Sequence, residues 1–172
     1  MSHLILYSLK RADHILMPSA AGVLVYIGGR NAEGITTTIN DVVGNVYFAR
    51  GTILNCTEDF SRMGLLKGAY GHYTLTEQGE KWYEHYKPIV DGDAFLSRGE
   101  VDFLLHLYDY EQNNQPAYMP TSRITSDFLA RGIVESARRN GRVTYHLTTD
   151  DWRKLAEHYK ALLDLGKQLS IV

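Results

Sequence analysis

The chain has 172 residues, of which 44% are hydrophobic and 22% charged, enough for a sizeable core in one domain or two small ones. Its single cysteine excludes an internal disulfide framework and a cysteine-rich metal site, and suits a reducing, cytoplasmic setting. No apolar run approaches the roughly 20 residues of a membrane helix, and a net charge of −2 gives no whole-chain attraction to nucleic acid.

In chain order, Ser2 to Leu16 mixes apolar residues with Lys10, Arg11, Asp13 and His14. It reads as a strand or a short helix and makes a poor signal peptide. Pro18-Ser19 opens a buried helix over Ala20 to Ile27, which Gly28-Gly29-Arg30-Asn31 is expected to stop. Thr37 or Thr38 caps a short helix from Ile39 to Val43. A longer helix follows, from about Gly51 to Met63. Its apolar positions Ile53, Cys56, Phe60 and Met63 recur at three- and four-residue spacing. Thr52, Asn55, Asp59 and Arg62 lie opposite them. A short helix, a turn and a longer polar-faced helix make a helix-turn-helix. Leu65 to Lys67 and His72 to Leu75 form a hairpin with a tip at Gly68-Ala69-Tyr70-Gly71. Thr76 opens an aromatic helix over Glu80 to Tyr86, expected to end near Pro88.

The pattern then repeats. Asp59-Phe60, Gly64-Leu65-Leu66 and Tyr73-Thr74-Leu75-Thr76 return as Asp127-Phe128, Gly132-Ile133-Val134 and Tyr145-His146-Leu147-Thr148. Glu84-His85-Tyr86-Lys87 returns as Glu157-His158-Tyr159-Lys160. Nearly constant separation points to an internal duplication. Asp91-Gly92-Asp93 is the boundary, giving units 1–90 and 91–172. The second opens with a helix from about Phe95 to Tyr110. The loop Asn113-Asn114-Gln115-Pro116 stands where the first unit has its short helix. Thr121 or Ser122 caps the next helix, in which Ile124 matches Cys56, so both are expected to be buried. A basic hairpin follows, from Ala137 to Arg142 with an Asn-Gly turn. A final amphipathic helix from Asp150 to about Leu165 carries Trp152, Leu155, Tyr159, Leu162 and Leu163 along one side.

These residues resemble winged helix-turn-helix DNA-binding proteins, the first unit being similar to the MarR type. Thr38 to Met63, Gly64-Leu65-Leu66 and Tyr73 to Gly79 carry the resemblance. It implies a mainly α fold with small β-hairpins, arranged as two tandem winged-helix units. Two compact wings in a small chain are also similar to regulators and replication initiators of mobile elements. The function implied is sequence-specific binding of double-stranded DNA for transcriptional control. The first wing tip is short and uncharged, so the second unit is expected to lead. There Ser122, Arg123 and Ser126 face outward, and Arg138, Arg139 and Arg142 hold phosphates. Thr52, Asn55 and Arg62 take the equivalent face of the first unit, beside the repelling Glu58 and Asp59.

The apolar side of the final helix is read as a homodimer interface that would pair two reading heads on a palindrome. The competing reading is a protein-interaction module of a transcription, replication or chromosome-structure complex. It rests on the uncharged first wing tip and on the acidic helix 95–110, which with its flanks carries Asp91, Asp93, Glu100, Asp102, Asp109 and Glu111. The histidines, serines and acids form no catalytic or metal-binding constellation, so neither an enzyme nor a cofactor is expected. The tyrosines, among them Tyr26, Tyr47 and Tyr73, are read as packing residues.

Overall fold

The computed structural model describes residues 15–68, 71–118 and 122–169. The expectations for Ser2 to His14, for the tip residues Ala69 and Tyr70 and for Thr121 lie outside the described residues. The chain divides into two compact units, residues 1–95 together with 161–172, and residues 96–160. Among the described residues it is mainly helical, with two small antiparallel sheets.

The first unit opens with α1, Pro18–Ala32. It does not stop at Gly28-Gly29. The helix runs through both glycines; at Gly28 the Tyr83 ring sits directly on the backbone, where an added Cβ would lie 2.3 Å from it. Close helix–helix packing offsets the weak helix propensity of the pair. Strand β1, Thr37–Thr38, leads into α2, Ile39–Asn45. Thr38 is the cap: its hydroxyl accepts from the Asp41 N–H, and the Asp41 carboxylate accepts from the Thr38 N–H. Hydrogen bonding to the carboxylate from the Thr38 backbone N–H, and next from the Thr38 side chain, holds the Asp41 carboxyl below its ordinary range. Helix α3 follows, Arg50–Arg62, burying Ile53, Cys56, Thr57 and Phe60. Cys56 is a core residue whose thiol burial pushes up, against a hydrogen bond from Ser19.

Strands β2, Leu66–Lys67, and β3, His72–Leu75, form the first hairpin, and β1 pairs with the far side of β3. Helix α4 spans Glu77–Asp91 and contains Pro88. It therefore outruns the expected stop. The burial of Tyr86 and Ile89 on either side offsets the hydrogen bond that proline cannot donate. Asp91 is accordingly helical and Gly92 its cap, and the units divide after Phe95.

The second unit opens with α5, Arg98–Gln112, capped by a Ser97–Glu100 capping box. Among its described residues no short helix precedes α6, Arg123–Ala130. Ser122 caps α6 through the Thr125 N–H. Strands β4, Val134–Arg139, and β5, Arg142–Leu147, make a hairpin that is separate from the first sheet. Helix α7 spans Asp150–Gln168.

The two units share hydrogen bonds at matching positions. Helices α3 and α6 both end in a Schellman motif on a left-handed glycine, Gly64 with φ 76° and Gly132 with φ 69°. The Leu65 N–H donates to the Phe60 carbonyl and the Ile133 N–H to that of Phe128, each at 2.9 Å. The Thr76 hydroxyl donates to the Gly64 carbonyl at 2.5 Å, and that of Thr148 to Gly132 at 2.7 Å. Thr37 pairs with Tyr73, and Ala117 forms a single bridge to Tyr145. The last strand residue is clipped alike: the Leu75 N–H donates to Asn31 Oδ1 at 2.7 Å and the Leu147 N–H to Glu111 Oε1 at 2.8 Å. Tyr86 and Tyr159 are both buried. The Tyr86 hydroxyl donates to the Ile15 carbonyl, and that of Tyr159 accepts from the Leu96 N–H.

One expected match fails. Ile124 is only half-buried, and Thr125 takes the buried slot, as Thr57 does in α3. Each threonine hydroxyl is satisfied within its own turn, Thr57 on the Leu54 carbonyl and Thr125 on the Ser122 hydroxyl. A threonine can therefore be buried there at little cost.

Burial pushes the Tyr159 phenol up to about 12. The unfolded phenol ionises near pH 10, while the folded one keeps its proton. This contribution to stability is thus complete below pH 10 and is lost as pH rises from 10 through 12. We expect chemical-denaturation midpoints to fall across that window, and to fall less steeply in Tyr159→Phe.

Candidate nucleic-acid interface

The strongest concentration of exposed positive charge lies on the β4–β5 hairpin. Its register is fixed by a two-residue turn, Asn140 at φ 52° and Gly141 at φ 76°, which closes the pair Arg139 and Arg142. Left-handed conformations at both turn residues are what Asn-Gly supplies. Directly opposed residues project to one face of the hairpin. Arg139 and Arg142 therefore share a face, with Ala137, Thr144, Glu135 and His146 further back. Arg138 lies on the other face, opposite Val143. All three arginines are exposed. Among the described residues no carboxylate pairs with any of them. Glu135, the acid of β4, is directed to His146 at 3.2 Å. The Arg142 guanidinium carbon sits 5.7 Å from the centre of the Tyr118 ring.

Arg123 and Ser126 are exposed on α6, while Thr125 and Phe128 face inward. Ser122 is exposed too, but its oxygen is committed to capping α6, so it is a structural residue first. Arg131 is tied to Glu100 at 3.2 Å.

In the first unit Asn55 and Arg62 are exposed and Thr52 is half-buried. Arg62 lies 3.9 Å from Glu58, within reach of its charge. Arg50, at the start of α3, donates to Asn40 at 3.1 Å. Tyr47 departs from the packing role expected of it, being fully exposed in the turn before α3. Nothing in its residue type distinguishes it from the buried Tyr86.

Two further expectations change. Leu155, Tyr159, Leu162 and Leu163 are buried within the single chain, and Trp152 is half-buried. Apart from Trp152, the apolar stripe of α7 is thus made of packing residues of the single chain. The acidic helix 95–110 is also internally compensated. Asp102 pairs with Arg98, Glu100 with Arg131, Asp109 with Lys160, and the adjoining Glu111 with Arg153. Three of those four cations come from elsewhere in the chain, which is why the acids look unopposed in the sequence.

Glu111 has the tightest of these roles. Arg153 Nε donates to Glu111 Oε2 at 2.7 Å, and Arg153 also reaches Asp150 and the Leu147 carbonyl. The bonds to Glu111, the larger contributor, and to Asp150 raise the Arg153 pKa.

No helix among the described residues is long and apolar enough to cross a membrane. In comparisons with known proteins, the chain matches no family model, no curated protein and no solved structure.

Proposed function

We propose that the chain is a sequence-specific DNA-binding protein built of two tandem winged-helix units and acting in transcriptional control. The observation that carries this is the β4–β5 hairpin, with three exposed arginines that no carboxylate pairs with among the described residues. Phosphate attraction acts over about 10 Å at ordinary salt, so a local patch can bind DNA on a weakly acidic protein. The second unit leads. Arg123 and Ser126 on α6 read base edges, and the hairpin holds the backbone. The first unit contributes less, because Glu58 and Asp59 share a helix with Arg62. Compensation of the acids on α5 weakens one of the two features that favour a protein partner, the other being the uncharged first wing tip. A homodimer on a palindromic site would require a surface other than the α7 stripe.

The test is fluorescence anisotropy across a salt series, with a duplex selected from a random pool and a scrambled control. Replacing Arg138, Arg139 and Arg142 together by alanine should weaken binding to both duplexes. It should also flatten the salt dependence by roughly 0.9 in slope per lost phosphate contact. Arg123→Ala should instead reduce the preference for the selected site, by about 1–3 kcal/mol for a bidentate base contact. A triple variant that binds as tightly as wild type, with an unchanged salt slope, removes the hairpin from the interface and the reading with it.

A further inference from the structure

Arg139 and Arg142 stand directly opposite one another at the closing pair of the hairpin. Like charges in that position destabilise a strand pair. The hairpin acid on their face, Glu135, lies four residues back from Arg139 and is directed to His146 at 3.2 Å. Arg142 also has an aromatic neighbour. The Ala117–Tyr145 bridge, in which the Tyr145 N–H donates to the Ala117 carbonyl at 3.1 Å, sets Tyr118 beside the hairpin. The Tyr118 ring, 40% exposed, then lies under the Arg142 guanidinium. A cation over an aromatic face is held without its charge being neutralised, unlike a cation in an ion pair. The arrangement sets two arginines on opposed strand positions, one of them beside the Tyr118 ring, with no carboxylate paired to either among the described residues.

We propose that Arg139 and Arg142 form a clasp for a single phosphodiester group, with Tyr118 as the positioning residue that orients Arg142. Opposed Cβ atoms in such a pair are about 5 Å apart, so two planar forks can converge on one tetrahedral anion. Arg138, on the opposite face, lies outside the clasp. This inference rests on the nucleic-acid reading and specifies the group on the ligand that the hairpin grips. It carries a signature that a structural role lacks. Removing one guanidinium relieves the repulsion while it destroys the anion site, so stability and binding move in opposite directions.

The full chain is tested with a fluorescein-labelled duplex in a KCl series, alongside thermal unfolding. Arg139→Gln is expected to weaken binding roughly tenfold, to lower the salt slope by about one, and to leave the unfolding midpoint unchanged or higher. Tyr118→Phe should bind as wild type, because it keeps the ring. Tyr118→Leu should weaken binding, and should have no further effect in an Arg142→Gln background, since it acts through that residue. If Tyr118→Leu binds normally, or is additive with Arg142→Gln, while the triple arginine variant still loses binding, the clasp is overturned and the nucleic-acid reading stands. If the wild-type chain binds no duplex, or the triple variant binds as well as wild type, both fall together.

Discussion

Gly79→Ala is expected to destabilise the first unit by about 3 kcal/mol, at the upper end of the cost of overpacking. Gly79 lies in the first turn of α4, where the Thr76 hydroxyl accepts its N–H at 3.0 Å. A Cβ at this position would stand 2.1 Å from the Leu65 carbonyl oxygen. That oxygen is backbone, and it already accepts the Thr76 N–H at 2.9 Å. It cannot swing aside as a side-chain end would. Relief requires α4 to lift from β2, which breaks the corner joining hairpin and helix. Urea unfolding followed by tryptophan fluorescence checks this, with Trp82 buried in the same helix as reporter. An unchanged midpoint would show that the corner is looser than the structure has it.

Glu111→Ala is the second large effect, expected at about 2–3 kcal/mol. It leaves the Leu147 N–H without its acceptor and the Arg153 guanidinium without its principal partner. Arg153 is one-third exposed, so solvent screens part of the loss and the full cost of a broken buried pair does not apply. Glu111→Gln separates the two contributions, since an amide oxygen still accepts from Leu147 but carries no charge. It should cost less than half as much. Hydrogen exchange at Leu147 should accelerate in the alanine variant and stay near wild type in the glutamine one. Equal losses in both variants would assign the effect to charge alone.

Sequence signals were strongest where one residue type alone suits a backbone state. Gly64 and Gly132 announce their helix ends, Asn140-Gly141 announces its turn, and Thr38 with Asp41 forms a recognisable cap. The clip on the last strand residue was not legible, because one unit uses Asn31 and the other Glu111. Different side chains performing one task leave no repeat to see. The full length of helix α1 is not legible, because the need for a glycine at Gly28 lies in the Tyr83 ring, a contact 55 positions away by sequence number. Of the candidate interface, the arginine hairpin and the outward Arg123 and Ser126 could be read directly. The role of Tyr118 could not, because it depends on the Ala117 bridge.

The exposure pattern of β4 has one more consequence. Val134 is its only buried residue, and the five that follow are exposed out to Arg139. Six residues of strand span roughly 20 Å, and the buried anchors of the hairpin, Val134, Tyr145 and Leu147, sit toward its base. The far end is therefore an interchangeable tool on a fixed handle. New tips of other charge or length, grafted beyond Ala137, are expected to have little effect on folding, so the exposed end can be changed without rebuilding the unit that carries it.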